Sequence, residues 1–198
     1  MIFKHPPAQH QKTRRKVVLL SGLSDPRSCA LSPIQTAFLK SVRANETEKI
    51  LLNFPYLSQF GESRVTPSLL SASISNTFQF FRASGKAYRE AATPHWNGLV
   101  DACEELTVIT LSCGLEILNS CLISGRRPAL IHVVSLGPVA RNRPSVPHTI
   151  IRGERDFFSR PFFRRVDHLL PGIGHLNYLE SAAVAEIVND VVNRGTTA

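Results

Sequence analysis

The chain lacks an apolar run long enough to cross a bilayer. Its longest apolar region, Val108 to Ile123, is broken by Ser112, Glu116, Asn119 and Ser120, whereas a spanning helix needs about 20 mostly apolar residues. Met1 to Lys16 carries five basic residues but no apolar h-region, so no secretory signal is expected there. Cysteine is scarce. Cys29, Cys103, Cys113 and Cys121 show no metal-ligand spacing, which predicts free thiols in a reducing, cytoplasmic setting and no metal site. Acidic residues are few, 15 against 23 Lys and Arg, giving a net charge of +8. No helix-turn-helix, zinc pattern or aromatic-rich RNA-binding strand accompanies that excess. The basic residues are scattered as Arg14-Arg15-Lys16, Arg126-Arg127, Arg141, Arg143, Arg152, Arg155, Arg160 and Arg164-Arg165. The plain reading is a basic solvated surface, with neither nucleic acid nor membrane as a partner. The narrower reading is attraction to an anionic substrate or an acidic carrier protein. No internal repeat is evident.

What is present fits one domain. A length of 198 residues with 43% hydrophobic content suits a single core. Residues 1–15, basic and containing Pro6-Pro7, read as a flexible arm, and 16–198 as the domain. Apolar runs alternate with helical patterns, as in βα units around a parallel sheet. Strands are expected at 17–20, 49–53, 107–111, 129–135, 148–152 and 166–170. Helices are expected at 33–44, 96–104, 115–122 and 182–193. Between Tyr56 and His95 lies extra length. Within it Leu70, Ile74, Phe78 and Phe81 share one helical face, with Gly85 stopping or bending that helix.

The most informative stretch is Thr107-Val108-Ile109-Thr110-Leu111-Ser112-Cys113-Gly114-Leu115. An apolar strand runs directly into Ser-x-Gly, and a helix follows. A serine at such a turn holds its hydroxyl out at the end of a sheet, beside the free N–H groups that open the helix. Its hydroxyl is a poor nucleophile unless an imidazole takes the proton and a carboxylate orients that imidazole. Two later strands end in suitable groups: Gly153-Glu154-Arg155-Asp156 after one, Pro171-Gly172-Ile173-Gly174-His175 after the other. His175 is preferred over His132 and His168, which fall inside strands. Asp156 is preferred over Glu154, which comes too early, and over Asp167, which lies near a strand start. Cys113 as the nucleophile would place Leu111 where a small residue is wanted.

Ser112, Asp156 and His175 stand in the order nucleophile, acid, base, each after a predicted strand. In this order, and in its elbow, the chain resembles the α/β-hydrolase fold superfamily over residues 16–194. The resemblance implies an α/β fold: a mostly parallel sheet of about six strands with helices on both faces, compact and lacking the family's first strands. It implies Ser112, Asp156 and His175 as catalytic residues and the N–H groups of Leu23 and Cys113 as the oxyanion hole. Two positions depart from the pattern. Thr110 replaces the first elbow glycine, and Ser21 in Ser21-Gly22 replaces the histidine that often precedes the oxyanion loop.

The expected function is hydrolysis of a carboxylic ester or thioester through an acyl-enzyme, without a cofactor. The partner would be a small-molecule acyl compound, free or carrier-bound; the oligomeric state is left open. Acyl transfer by the same triad and a non-catalytic binding relative are the alternatives. The insertion at 56–95 is either a helical lid, with Phe78 and Phe81 lining the substrate pocket, or an ordinary sheet-covering helix.

Overall fold

The computed structural model describes residues 2–22, 28–61 and 85–194. Six strands form one parallel sheet: β1 (Arg15–Leu20), β2 (Lys49–Ile50), β3 (Glu105–Leu111), β4 (Leu130–Leu136), β5 (His148–Gly153) and β6 (His168–Leu170), in the order β2-β1-β3-β4-β5-β6. The crossovers carry α1 (Pro33–Ser41), α2 (Lys86–Val100) and α3 (Gly114–Ser124), and α4 (Ala182–Arg194) follows β6. No described strand precedes β1. No described helix is long and apolar enough to cross a membrane.

Strand periodicity divides the core into two layers. Val18, Leu20, Val108, Val133 and Ile150 face α2 and α3, meeting Trp96, Leu99, Leu115, Leu118 and Leu122. Their neighbours Val17, Leu19, Ile109, Val134 and Ile151 face α1 and α4, meeting Phe38, Leu39, Val184, Val188 and Val192. Both faces of the central strands are therefore apolar, as a parallel sheet covered on both sides requires. Helix α1 starts where the sequence predicts. Ser32 accepts from the Gln35 N–H, and Gln35 returns the bond to the Ser32 N–H, a capping box with Pro33 in the first turn.

Three expectations change. Helix α2 begins at Lys86, ten residues before the expected Trp96, with Gly85 as its N-cap, and runs through Pro94. Proline forfeits one helical bond there, but Ala92, Trp96 and Leu99 on the same helix are fully buried, and packing outweighs the local penalty. Residues 86–95 of the expected insertion thus belong to a core helix; 62–84, with Leu70, Ile74, Phe78 and Phe81, lie outside the described residues. The arm over 1–15 is the third. Arg15 opens β1, Ile2 is buried, and Phe3 meets Phe54, Tyr88 and His95 at ring distances of 5.7, 5.2 and 5.6 Å. Two apolar side chains amid basic and proline residues suffice to dock its start.

The approach of α3 to β1 depends on Gly114. A Cβ there would stand 2.1 Å from the carbonyl oxygen of Leu20, so strand or helix would have to move. Gly114→Ala is expected to destabilise by about 3 kcal/mol, lowering the melting temperature by roughly 6–12 °C in a chain of this size. Thermal unfolding followed by circular dichroism checks this; an unchanged midpoint would mean that the two elements part freely.

Candidate active site

The order of the strands reverses between β1 and β3. In open α/β sheets such a switch leaves a crevice outside the carboxyl ends of the strands, where ligands bind. Ser112 sits there, one residue beyond β3, with φ of +50°. A non-glycine residue rarely holds that left-handed conformation, and where it does the surroundings enforce it. Here the enforcement is visible: Ser112 N–H donates to the Leu136 carbonyl at 3.2 Å, and its own carbonyl accepts from Val139 N–H at 3.0 Å. Chain direction thus reverses sharply from strand into α3, with the hydroxyl on the outside of the turn.

The loops after β5 and β6 bring two more groups to this point. His175 Nε2 lies 3.1 Å from Ser112 Oγ, and its Nδ1 lies 3.0 Å from both carboxylate oxygens of Asp156. Asp156 is 1% exposed. Three further donors hold it: the backbone N–H groups of Phe158 and Ser159 at 3.0 Å and the hydroxyl of Tyr178 at 2.6 Å. Burial by itself would raise the carboxyl pKa, but the hydrogen bonds from His175, Tyr178 and Ser159 outweigh it and hold the group well below the ordinary aspartate range. Asp156 is therefore a fixed anion, 44 residues from Ser112 in sequence yet joined to it through one imidazole.

Ser112, Asp156 and His175 are thus brought within hydrogen-bond distance of one another in succession. The rivals lie elsewhere. Asp167 accepts from Ile150 N–H at 2.7 Å between the starts of β5 and β6. His132 pairs with the Thr149 hydroxyl at 3.0 Å within the sheet, and His168 is exposed on the edge strand β6. Cys113 caps α3 beside Ser112, but its side chain is buried, and burial pushes its thiol pKa up to about 12. Such a thiol is not ionised at neutral pH and is a poor nucleophile. Leu23, Phe78 and Phe81 lie outside the described residues.

The two departures from the family pattern have local explanations. Thr110 is fully buried, and its hydroxyl donates to Ser135 Oγ on β4 at 2.9 Å, so the larger side chain is absorbed within the sheet. Ser21 is braced by side chains instead of standing alone. Its N–H donates to Asn53 Oδ1 at 3.0 Å, while Asn53 Nδ2 and Gln35 Nε2 donate to its hydroxyl at 3.0 and 3.2 Å. This network ties the end of β1 to α1 and to the segment after β2.

Sequence reasoning misses Tyr178 and Gly137. The Tyr178 hydroxyl accepts from Gly153 N–H at 2.8 Å while donating to Asp156, so it links the end of β5 to the carboxylate. Gly137 has φ of +52°, and a Cβ on it would fall 2.6 Å from Asp156 Oδ2 and 2.5 Å from the Tyr178 ring. The only sequence signal for either is proximity: Tyr178 follows His175 by three residues, and Gly137 ends β4. A cleft of about 230 Å³ opens above the serine, lined among others by Ile34, Leu111, Ser112, Leu136, His175 and Leu179. Among the described residues its lining carries no Asp, Glu, Lys or Arg side chain.

No protein-family model matches the chain, and no curated protein matches it in sequence. Solved structures do match in fold. The chain is similar to a thermophilic esterase from Thermogutta terrifontis, solved with malate bound, at 14% identity and a TM-score of 0.54, covering 93% of this chain and 91% of that one. It is similar to the N-acyl homoserine lactonase AidH, solved with N-butanoyl homoserine, at 11% identity and 0.52, covering 96% and 92%. A third is LpqC, a poly(3-hydroxybutyrate) depolymerase from Bordetella parapertussis, at 13% identity and 0.50, covering 96% and 82%. Likeness at this level of identity speaks for the fold alone.

Proposed function

We propose that this chain, which has the α/β-hydrolase fold, is a serine hydrolase cleaving a carboxylic ester or thioester. The observation that carries the reading is the continuous contact Ser112 Oγ–His175 Nε2–His175 Nδ1–Asp156, at 3.1 and 3.0 Å, beginning on a strained turn. Ser112 Oγ attacks the acyl carbonyl carbon as His175 Nε2 takes the hydroxyl proton. Asp156 accepts from His175 Nδ1–H and so selects the tautomer whose Nε2 is free to act as base; it also stabilises the imidazolium that forms. The tetrahedral oxyanion is held by N–H groups, with Cys113 and Leu23 as the proposed donors. Collapse breaks the bond to the alcohol or thiol, which leaves with the proton from His175. Water then repeats the cycle on the acyl-serine and releases the acid.

The uncharged lining of the cleft suits an acyl group without charge, because an unpaired ionised group is costly to desolvate. The neighbours are by name an esterase, a lactonase and a depolymerase, which agrees with acyl chemistry. Treatment with a fluorophosphonate, followed by intact-mass measurement and peptide mapping, tests the reading. One adduct on Ser112 is expected; a chain that stays unlabelled under conditions that label known serine hydrolases refutes it.

Tyr178 is a positioning residue in this scheme. Tyr178→Phe removes a hydrogen bond to a charged group, worth about 2 kcal/mol, and leaves Gly153 N–H unpartnered. kcat is expected to fall about tenfold with KM little changed, because the hydroxyl holds the carboxylate and not the substrate. The acid limb of stability moves as well. A depressed folded pKa contributes stability that is fully present above the unfolded aspartate value and is lost as pH falls through the folded one. Removing the Tyr178 donor raises the folded value, so acid unfolding should begin at higher pH than in the parent chain. Equal kcat and an identical acid limb would show that the hydroxyl has no hold on Asp156.

A further inference from the structure

The loop that delivers Asp156 has the sequence Arg155-Asp156-Phe157-Phe158-Ser159-Arg160-Pro161-Phe162-Phe163-Arg164-Arg165. In a soluble core such aromatic pairs would point inward. Here Ser159 and Phe163 anchor the loop, at 0% and 5% exposure, while Phe157 and Phe158 stand out at 69% and 71%. Arg155, Arg160, Arg164 and Arg165 are exposed too, and none forms an ion pair with a described acidic side chain. The apolar surface continues to the cleft. The Phe158 ring lies 5.3 Å from the His175 ring, and the next residue, Leu176, is 74% exposed.

We infer that this loop is a docking surface for anionic phospholipid bilayers. Two phenylalanines exposed side by side on a turn project from the surface and can enter the boundary between headgroups and acyl chains. Arg155 and Arg160, each within three residues of both rings in the chain and exposed, match the negative charge of the headgroups. Other occupants fit less well. A second copy of the chain would set these arginines against their own equivalents. Single-stranded nucleic acid needs a groove that follows its backbone, whereas these rings stand proud of the surface. The surface revises the expectation that membranes are no partner, since outward phenylalanines cannot be told from core ones in sequence. Its use rests on the proposed hydrolase reading: docking through a loop that touches His175 brings the uncharged cleft to the layer where water-insoluble acyl esters reside.

The test is flotation of the full chain with vesicles of phosphatidylcholine and phosphatidylserine, about three to one, and with vesicles of phosphatidylcholine alone. Binding to the mixed vesicles and little to the neutral ones is expected. Phe157→Ser should weaken binding about tenfold. The double variant R155Q/R160Q should weaken it more, at about fivefold per arginine. Melting curves establish that each variant is folded, and either one alone keeps the inference testable. Absence of binding to the mixed vesicles at low salt overturns it. So does binding that Phe157→Ser leaves intact, which would be adventitious charge attraction. Binding to polyglutamate or to an RNA homopolymer that is equally tight and equally sensitive to Phe157→Ser would assign the surface to another macromolecule and overturn it as well. Ser112→Ala should bind vesicles like the parent. A parent chain that binds but hydrolyses no acyl ester refutes the catalytic reading and leaves the docking surface standing.

Discussion

Ser112→Ala is expected to lower kcat on a chromogenic ester by about 10⁵–10⁶-fold and to abolish fluorophosphonate labelling. In the proposed mechanism the hydroxyl oxygen bonds to the acyl carbon, and no described neighbour can replace it. Cys113 is adjacent in sequence, but its buried thiol, with a pKa pushed up to about 12, stays protonated and faces away from solvent. The fold should survive, because alanine removes one oxygen from a half-buried side chain. If anything, relieving the hydroxyl's constraints at φ of +50° leaves the turn no more strained than before, since alanine also carries a Cβ. Steady-state assays with the purified variant decide the matter: near-parental activity would remove Ser112 from the mechanism and make Cys113→Ala the next variant to assay. A residual rate of about 10³-fold over water would still fit, as oxyanion donors and substrate binding act without the nucleophile.

Asp156→Asn should lower kcat by about 10⁴-fold. The amide is nearly isosteric, so the loop can keep its shape, but the charge and the acceptor pattern change. An asparagine that keeps its oxygen on the Phe158 and Ser159 N–H groups turns its NH₂ toward His175 Nδ1 or Tyr178. His175 must then carry its proton on Nε2, which faces Ser112, and can no longer serve as base. Combining this change with Ser112→Ala should add little, because in the proposed mechanism the three groups act as one unit. Stability gives a second readout. At neutral pH the variant loses the contribution of a carboxylate whose folded pKa is depressed. As pH falls through that folded value the parent loses the same contribution, so the two chains should converge in strongly acidic solution. A variant with a parental rate would mean that His175 is oriented by something other than Asp156.

Much of this was legible in the chain because it is local. Strand β3 and its serine turn declare themselves by an unbroken β-branched run that meets Ser-x-Gly. The order Ser112, Asp156, His175, each following an apolar run, points to one end of one sheet. That inference needs no distances: in a parallel sheet all strands end on the same side, so groups just after strands share an edge. The start of α1 is equally local, written in Ser32, Pro33 and Gln35. The first ten residues of helix α2 were not legible, because Pro94 reads as a start or a stop wherever packing is ignored, and Trp96 fills its place only once α3 and Gly125 are beside it.

By itself, then, the sequence determined the alternation of strands and helices, the direction of the sheet and three side chains at its carboxyl edge, since these follow from periodicity and from residue types in order. Tertiary structure decided what depends on contacts between distant segments. It brought the Tyr178 hydroxyl to 2.6 Å from Asp156 and left no room for a Cβ at Gly137. It braced Ser21 with Asn53 and Gln35 instead of a histidine. It also turned Phe157 and Phe158 outward while burying Phe163. The physical reason is common to all four. A hydrogen-bond partner or a buried face is a property of two surfaces meeting, and only one of the two is written at any given position of the chain.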